Sequence, residues 1–146
     1  MNLSTHFTLE ELIESDLAIR KGIDNQPNPE VTANLYVLAD GLERVRTILL
    51  APIIITSGYR SQKLNSALGG ARNSQHTLGL AADFKIANMT PKEVCLAILE
   101  HEPFIRFDQL IAEGTWTHIS FADHPRGDVL TAHFGGMGTI YTKGIV

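Results

Sequence analysis

Apolar residues recur along this chain with two different periods, one typical of helices and the other typical of strands. Between residues 31 and 45 they fall every three or four positions, which predicts a long helix with one buried face, carried by Val31, Leu35, Leu38, Leu42 and Val45. This helix is expected to begin at Pro29, because proline is favoured in the first turn and a polar loop precedes it. It supplies a large part of the predicted core.

Three shorter helices are predicted from their end signals. Thr8 and Glu11 match a capping box, in which the threonine and glutamate side chains satisfy each other's backbone amides, and Thr90 and Glu93 do the same. Each box is expected to open a helix. A further short helix is expected to begin at Ser61 and to be stopped by the glycine pair at residues 69–70.

Four strands are predicted from short apolar runs. Residues 53–56 and 80–86 read as buried strands, and residues 107–112 and 115–121 read as a hairpin around the Glu113-Gly114 turn. If the last strand is regular, Trp116, His118 and Ser120 share one face of the sheet. The chain from residue 128 onward, with a glycine-rich tail from about residue 133, is expected to be loosely ordered, with pairing of its β-branched residues as a strand as the alternative. The predicted fold class is α+β, with helices packed on a small antiparallel sheet.

Length and composition exclude several classes of protein. With 146 residues, the chain is expected to be one domain spanning residues 1–146, and we expect a monomer. The net charge of −4 gives no basic surface for nucleic acid, and no apolar run is long enough to span a membrane. Cys95 lies in an apolar helical stretch and is expected to be a core residue rather than a metal ligand.

Three polar residues in short apolar segments indicate a metal site. His76 and Asp83 flank a glycine, and His118 follows some thirty residues after Asp83 in a β-prone segment. Two imidazoles and one carboxylate are the ligand set of a catalytic zinc, because the fourth tetrahedral position must stay open for water. The competing interpretation is that His118 is a hydrogen-bonded core residue. The other histidines, at positions 6, 101, 124 and 133, are interpreted as surface residues.

Several motifs resemble those of the M15 family of zinc peptidases. They are Ser57-Gly58-Tyr59-Arg60-Ser61, the segment from Gly69 to His76, Gly79-Leu80-Ala81-Ala82-Asp83 and Trp116-Thr117-His118-Ile119-Ser120, and the likeness covers roughly residues 5 to 132. The family comprises D-alanyl-D-alanine carboxypeptidases and related peptidoglycan endopeptidases, including phage endolysins. The resemblance implies a hedgehog-like fold and one zinc ion per chain, bound by His76, Asp83 and His118. It also implies a peptidoglycan stem peptide as substrate.

The resemblance further suggests which residues bind the substrate and move the proton. Arg60 resembles the family's arginine that pairs with a substrate carboxylate, although a structural salt bridge is the alternative, and Gln75 is expected to line the cleft. Many relatives carry an acidic residue three positions before the second histidine, but that position here is Thr115. We therefore predict Glu113, at the hairpin tip, as the general base. In the alternative interpretation, Glu113 is a solvated turn residue and either Asp108 or Asp123 is the general base.

Two further expectations concern where the protein acts and whether it is an enzyme. The N-terminal residues lack the basic and apolar regions of a secretory signal, so cytoplasmic accumulation is expected. Action on the cell wall would then suit a phage enzyme released by a holin. The rival hypothesis is a zinc-containing binding or structural domain of hedgehog-like fold without catalysis, for which Thr115 is the main support.

Overall fold

The computed structural model describes residues 1–146 and confirms the α+β class. Five α-helices accompany one six-stranded sheet, and a 3₁₀ turn covers Gln75–Leu78. The helices are α1 (Leu9–Ile13), α2 (Asp16–Lys21), α3 (Pro29–Leu49), α4 (Gln62–Ala67) and α5 (Pro91–Leu99). The strands are β1 (Ile54–Ser57), β2 (Ala81–Lys85), β3 (Gln109–Glu113), β4 (Trp116–Ser120), β5 (Asp128–Gly135) and β6 (Gly138–Lys143). None of the helices combines the length and apolarity that crossing a bilayer requires.

The helices begin where their capping residues predict. At α5 the capping box is complete, because Thr90 accepts from the Glu93 amide and Glu93 accepts from the Thr90 amide. At α1 only the threonine half forms, from the Glu11 amide to Thr8. Helix α2 was not predicted from the sequence; its start is capped by Ser15, and it ends at a glycine with a left-handed backbone.

The long helix α3 supplies much of the core, as its apolar period predicts. All five of its predicted apolar positions are buried, and they pack in one cluster with residues of α5 and of the sheet. Cys95 belongs to the same cluster, and burial raises the pKa of its thiol to about 12. This confirms Cys95 as a core residue and leaves it a poor metal ligand at neutral pH.

The strands lie in the order β1-β2-β4-β3-β5-β6. The predicted strands match β1 to β4 to within two residues at every end. Every pairing is antiparallel except that of β3 with β5, which is parallel. Side chains alternate as predicted along β4, where Thr117 and Ile119 are buried on the helix side. The opposite face carries His118 and forms the floor of a cleft.

The expectation of a loosely ordered chain after residue 128 is wrong. Strands β5 and β6 form a hairpin closed at Gly135 and Gly138, and β5 docks alongside β3 from Gln109 to Ala112. Glycine at position 138 allows a backbone φ of 103°, which the tight turn requires. The glycines therefore form one turn, while the β-branched residues around them pair as strands.

Candidate metal centre

The two predicted ligands in the sheet face each other across a pair of neighbouring strands. Asp83 of β2 is the direct antiparallel partner of His118 of β4, so their side chains project from the same face. His76 enters from the 3₁₀ turn, and Gly79 ends that turn with a φ of 75°. A Cβ at Gly79 would approach Val31 to 2.9 Å, so the turn packs tightly against α3. The long helix thus fixes His76 relative to β2.

The donor atoms of these three residues converge on one point. His118 Nδ1 lies 2.9 Å from Asp83 Oδ1, and His76 Nε2 lies 3.3 Å from the same oxygen. One ligand atom from each residue falls within 4.8 Å of the others, and all three side chains are buried. Tetrahedral zinc with bonds of about 2.0–2.1 Å separates its ligand atoms by roughly 3.3 Å. The spacing therefore fits a zinc ion.

The hydrogen bond of His76 supports the same conclusion. Its Nδ1 lies 2.8 Å from the Gly58 carbonyl oxygen, which can only accept, so Nδ1 carries the proton. In the neutral ring, Nε2 then turns a lone pair toward the Asp83 carboxylate. Two acceptors at this separation repel unless a cation or a proton lies between them. A divalent metal satisfies both atoms, and the backbone carbonyl holds the imidazole in the orientation for binding it.

Arg60 fixes the second oxygen of Asp83. Its Nη2 donates to Asp83 Oδ2 at 3.2 Å, and its other nitrogens donate to Ser57 and Asn65. Burial opposes ionisation of Asp83, but hydrogen bonds with His118 and His76 hold the pKa of its carboxyl below the usual range. The salt bridge that the sequence left as an alternative for Arg60 is therefore present. A substrate contact by Arg60 stays a prediction.

The three candidate metal ligands lie in a cleft of about 440 Å³ that is lined mainly by polar side chains. Strand β3 contributes Gln109, Ile111 and Glu113 to its wall, because alternate residues of a strand share a face. Glu113 therefore projects on the same side of the sheet as His118. Burial is the main cause that raises the pKa of Glu113, and the negative charge of Asp83 adds to it.

The two alternative bases lie elsewhere. Asp108 is buried and accepts hydrogen bonds from Arg126 and from the Gln75 side chain, so it is held in a structural ion pair. Asp123 is exposed and does not line the cleft. Gln75 does line the cleft, as predicted, although its amide is directed to Asp108 in this structure.

The cleft wall also contains residues that the sequence did not indicate, among them Arg126 and Tyr141. Arg126 follows β4 and is oriented by Asp108, and Tyr141 lies on β6. The signal for Tyr141 is the run of β-prone residues after Gly138, which pairs as strand β6. Nothing in the local sequence around Arg126 indicates its partner, because Asp108 lies 18 residues away.

A comparison with protein-family models matches residues 5–120 to the model described as Peptidase M15. The matched segment contains the three candidate metal ligands together with Arg60 and Glu113. Arg126 and Tyr141 lie after it. No curated protein gives a significant match.

Proposed function

The chain belongs to the peptidase M15 family and is a metallopeptidase. On this premise we propose that it hydrolyses a peptide bond in peptidoglycan stem peptides with one bound zinc ion. The observation that carries the proposal is the buried group of His76, Asp83 and His118 at the floor of a polar cleft. Two imidazoles favour zinc over calcium or magnesium, which prefer oxygen ligands.

Two of the three candidate ligands have a neighbour that fixes their orientation. The Gly58 carbonyl holds His76, and Arg60 holds the outer oxygen of Asp83. Asp83 Oδ1 and the unprotonated imidazole nitrogens of His76 and His118 would hold the ion. When bound, zinc would polarise both a water molecule and the scissile carbonyl group.

Glu113 is proposed as the group that moves the proton. The water oxygen attacks the carbonyl carbon, one water proton passes to the Glu113 carboxylate, and the same proton is delivered to the leaving amine as the C–N bond breaks. Glu113 lies on the wall of the same cleft, and its raised pKa brings it closer to neutral pH, where a group can both accept and donate a proton.

The polar lining suits a peptide substrate. Backbone carbonyl and amide groups of an extended peptide can pair with the amides of Gln75 and Gln109, and a substrate carboxylate can pair with an arginine. Arg60 retains N–H groups beyond the three that its protein partners accept, and it reaches the cleft. We propose that these groups orient the stem peptide, for cleavage of either the carboxypeptidase or the endopeptidase type.

Digestion of purified peptidoglycan tests this function. Zinc-loaded protein should reduce the turbidity of purified cell walls, and chelator should abolish the effect. Mass analysis of the products separates release of a terminal amino acid from cleavage of a cross-link. His118→Ala is the inactive control, because it removes one candidate metal ligand from the cleft side of β4. Hydrolysis that survives verified metal removal, or no hydrolysis by zinc-loaded protein, would contradict the proposal.

A second candidate function is a zinc-containing domain that binds cell walls without cleaving them. The residue at position 115 favours it, because threonine cannot act as a general base there. Zinc-loaded protein would then sediment with cell walls and release no peptide. Cleavage that depends on Glu113 would exclude this function.

A further inference from the structure

The C-terminal hairpin of β5 and β6 extends the cleft beyond the residues that the family model matches. It is attached to the tip of the β3–β4 hairpin through Phe134. The Phe134 ring packs against Trp116 with ring centres 6.2 Å apart, and a Cβ on Gly114 would lie 2.7 Å from the same ring. The hairpin therefore has a fixed position relative to Glu113, which directly precedes Gly114 and pairs with Trp116.

The strand registers bring Tyr141 into line with Glu113. Ala112 pairs with Thr131 in the parallel register, so Glu113 and Ala132 come next to each other, and Ala132 pairs with Tyr141. Directly paired residues project from the same face of a sheet. Tyr141 is thus two strand spacings from Glu113, roughly 10 Å between backbones, with its side chain on the cleft face. Both residues line the same cleft.

The Tyr141 hydroxyl is available to a ligand. Side-chain hydrogen bonds of the hairpin involve Thr131, His133 and Lys143, but none involves Tyr141, whose side chain is about half exposed. Burial of part of the ring, with the negative charges of Glu113 and Asp83, raises the pKa of Tyr141. The hydroxyl is therefore protonated at neutral pH and can donate a hydrogen bond.

We propose that Tyr141 donates a hydrogen bond to the scissile carbonyl oxygen of the substrate as negative charge develops on that oxygen. This inference rests on the proposed peptidase function and adds a catalytic residue from outside the matched segment. A neutral donor suits this task, because it stabilises negative charge in the transition state more than it stabilises the uncharged carbonyl group. No proton leaves Tyr141 in this role.

Tyr141→Phe tests the proposal, since it removes only the hydroxyl and keeps the ring that fills the wall. With a stem peptide that the wild-type protein cleaves, kcat should fall roughly 10- to 100-fold while KM, zinc content and Tm stay near wild type. Calorimetry gives a second measurement: a phosphinate peptide, whose tetrahedral anionic group mimics the transition state, should bind Tyr141→Phe about 10-fold or more weakly. The amine product of cleavage should bind both proteins equally.

Tyr36→Phe is the matched control, because Tyr36 is similarly exposed on α3 and does not line the cleft. Unchanged kcat and phosphinate affinity in Tyr141→Phe would overturn the proposal, and reduced activity in Tyr141→Leu alone would show that the ring only shapes the wall. If the wild-type protein cleaves no peptidoglycan, the proposed function fails, and this inference fails with it. An active wild type with an equally active Tyr141→Phe contradicts Tyr141 alone.

Discussion

Replacing Glu113 by glutamine separates the proposed proton transfer from zinc binding and from folding. Glutamine keeps the size and polarity of the side chain but cannot accept the water proton. Turnover by Glu113→Gln should fall by roughly two to four orders of magnitude, which is the usual contribution of a general acid–base group. This corresponds to about 3–5 kcal/mol on the activation barrier.

The expected effect of the same change on stability is much smaller. The Glu113 side chain makes no ion pair or hydrogen bond in this structure, so its replacement leaves no protein partner unsatisfied. Because burial raises its pKa, the folded state disfavours the ionised form, and a neutral glutamine at pH 7 should be at least as stable. A change within about 0.5 kcal/mol corresponds to roughly 1–2 °C in Tm for a chain of this length.

The pH profile provides an independent check on the assignment. Catalysis requires the ionised carboxylate, so kcat/KM should rise with pH through the pKa of Glu113. That pKa is raised, so the acidic limb should lie above the ordinary glutamate value of 4.5. Peptide release followed by mass analysis across pH 4–8 would show this limb in the wild type and its loss in Glu113→Gln.

Asp123→Asn is the matched control, because Asp123 is an exposed acid outside the cleft and should be silent. Asp108→Asn should lower Tm, since it weakens the pairing with Arg126, but should leave the acidic limb in place. Near-normal hydrolysis by Glu113→Gln at full zinc occupancy, with loss of activity in either aspartate variant, would refute the reasoning and place the base elsewhere.

Three further predictions concern the metal and its surroundings. Elemental analysis should find about one zinc per chain, and the His76→Ala and His118→Ala variants should lose most of this zinc. His133→Ala is the control and should keep it. Undiminished zinc in either ligand variant would contradict the site. Chelation should lower Tm in a thermal melt, because an ion bound only by the native state stabilises that state by mass action; an unchanged melt after verified zinc removal would count against it. Arg60→Lys should weaken zinc binding about 10-fold in a chelator competition, because lysine cannot reproduce the hydrogen bond of the planar guanidinium group to Asp83. Any loss of activity that remains at saturating zinc would indicate that Arg60 also contacts the substrate.

The sequence indicated the three residues that the structure brings together because each is placed by local structure. Alternation along β4 puts His118 on the face opposite Ile119, and this period is visible in the sequence. Gly79 marks the end of the turn that carries His76, and Asp83 follows in the next strand. Only the pairing of β2 with β4 had to be assumed.

The parts that the sequence did not predict depend on contacts between distant segments. The bond from Arg60 to Asp83 spans 23 residues, and the bond from Gln75 to Asp108 spans 33. Neither has a local signature, because an arginine or a glutamine can satisfy its donors in many environments. The hairpin of β5 and β6 was missed for a different reason. Its glycines suggested disorder, and the docking of β5 on β3 that stabilises it is a tertiary event.

The geometry of the β3–β4 turn explains why the acidic residue need not stand three positions before His118. Glu113 pairs with Trp116 across a two-residue turn, and Gly114 has a φ of 69° at the first turn position. Thr115 lies at the second turn position, outside the cleft of His118 and beside a separate cavity bounded by Phe84. An acid at position 115 would therefore need a different turn to reach the candidate metal ligands. With this turn, Glu113 at the end of β3 and Trp116 at the start of β4 both line the cleft, and Glu113 is the acid of this pair.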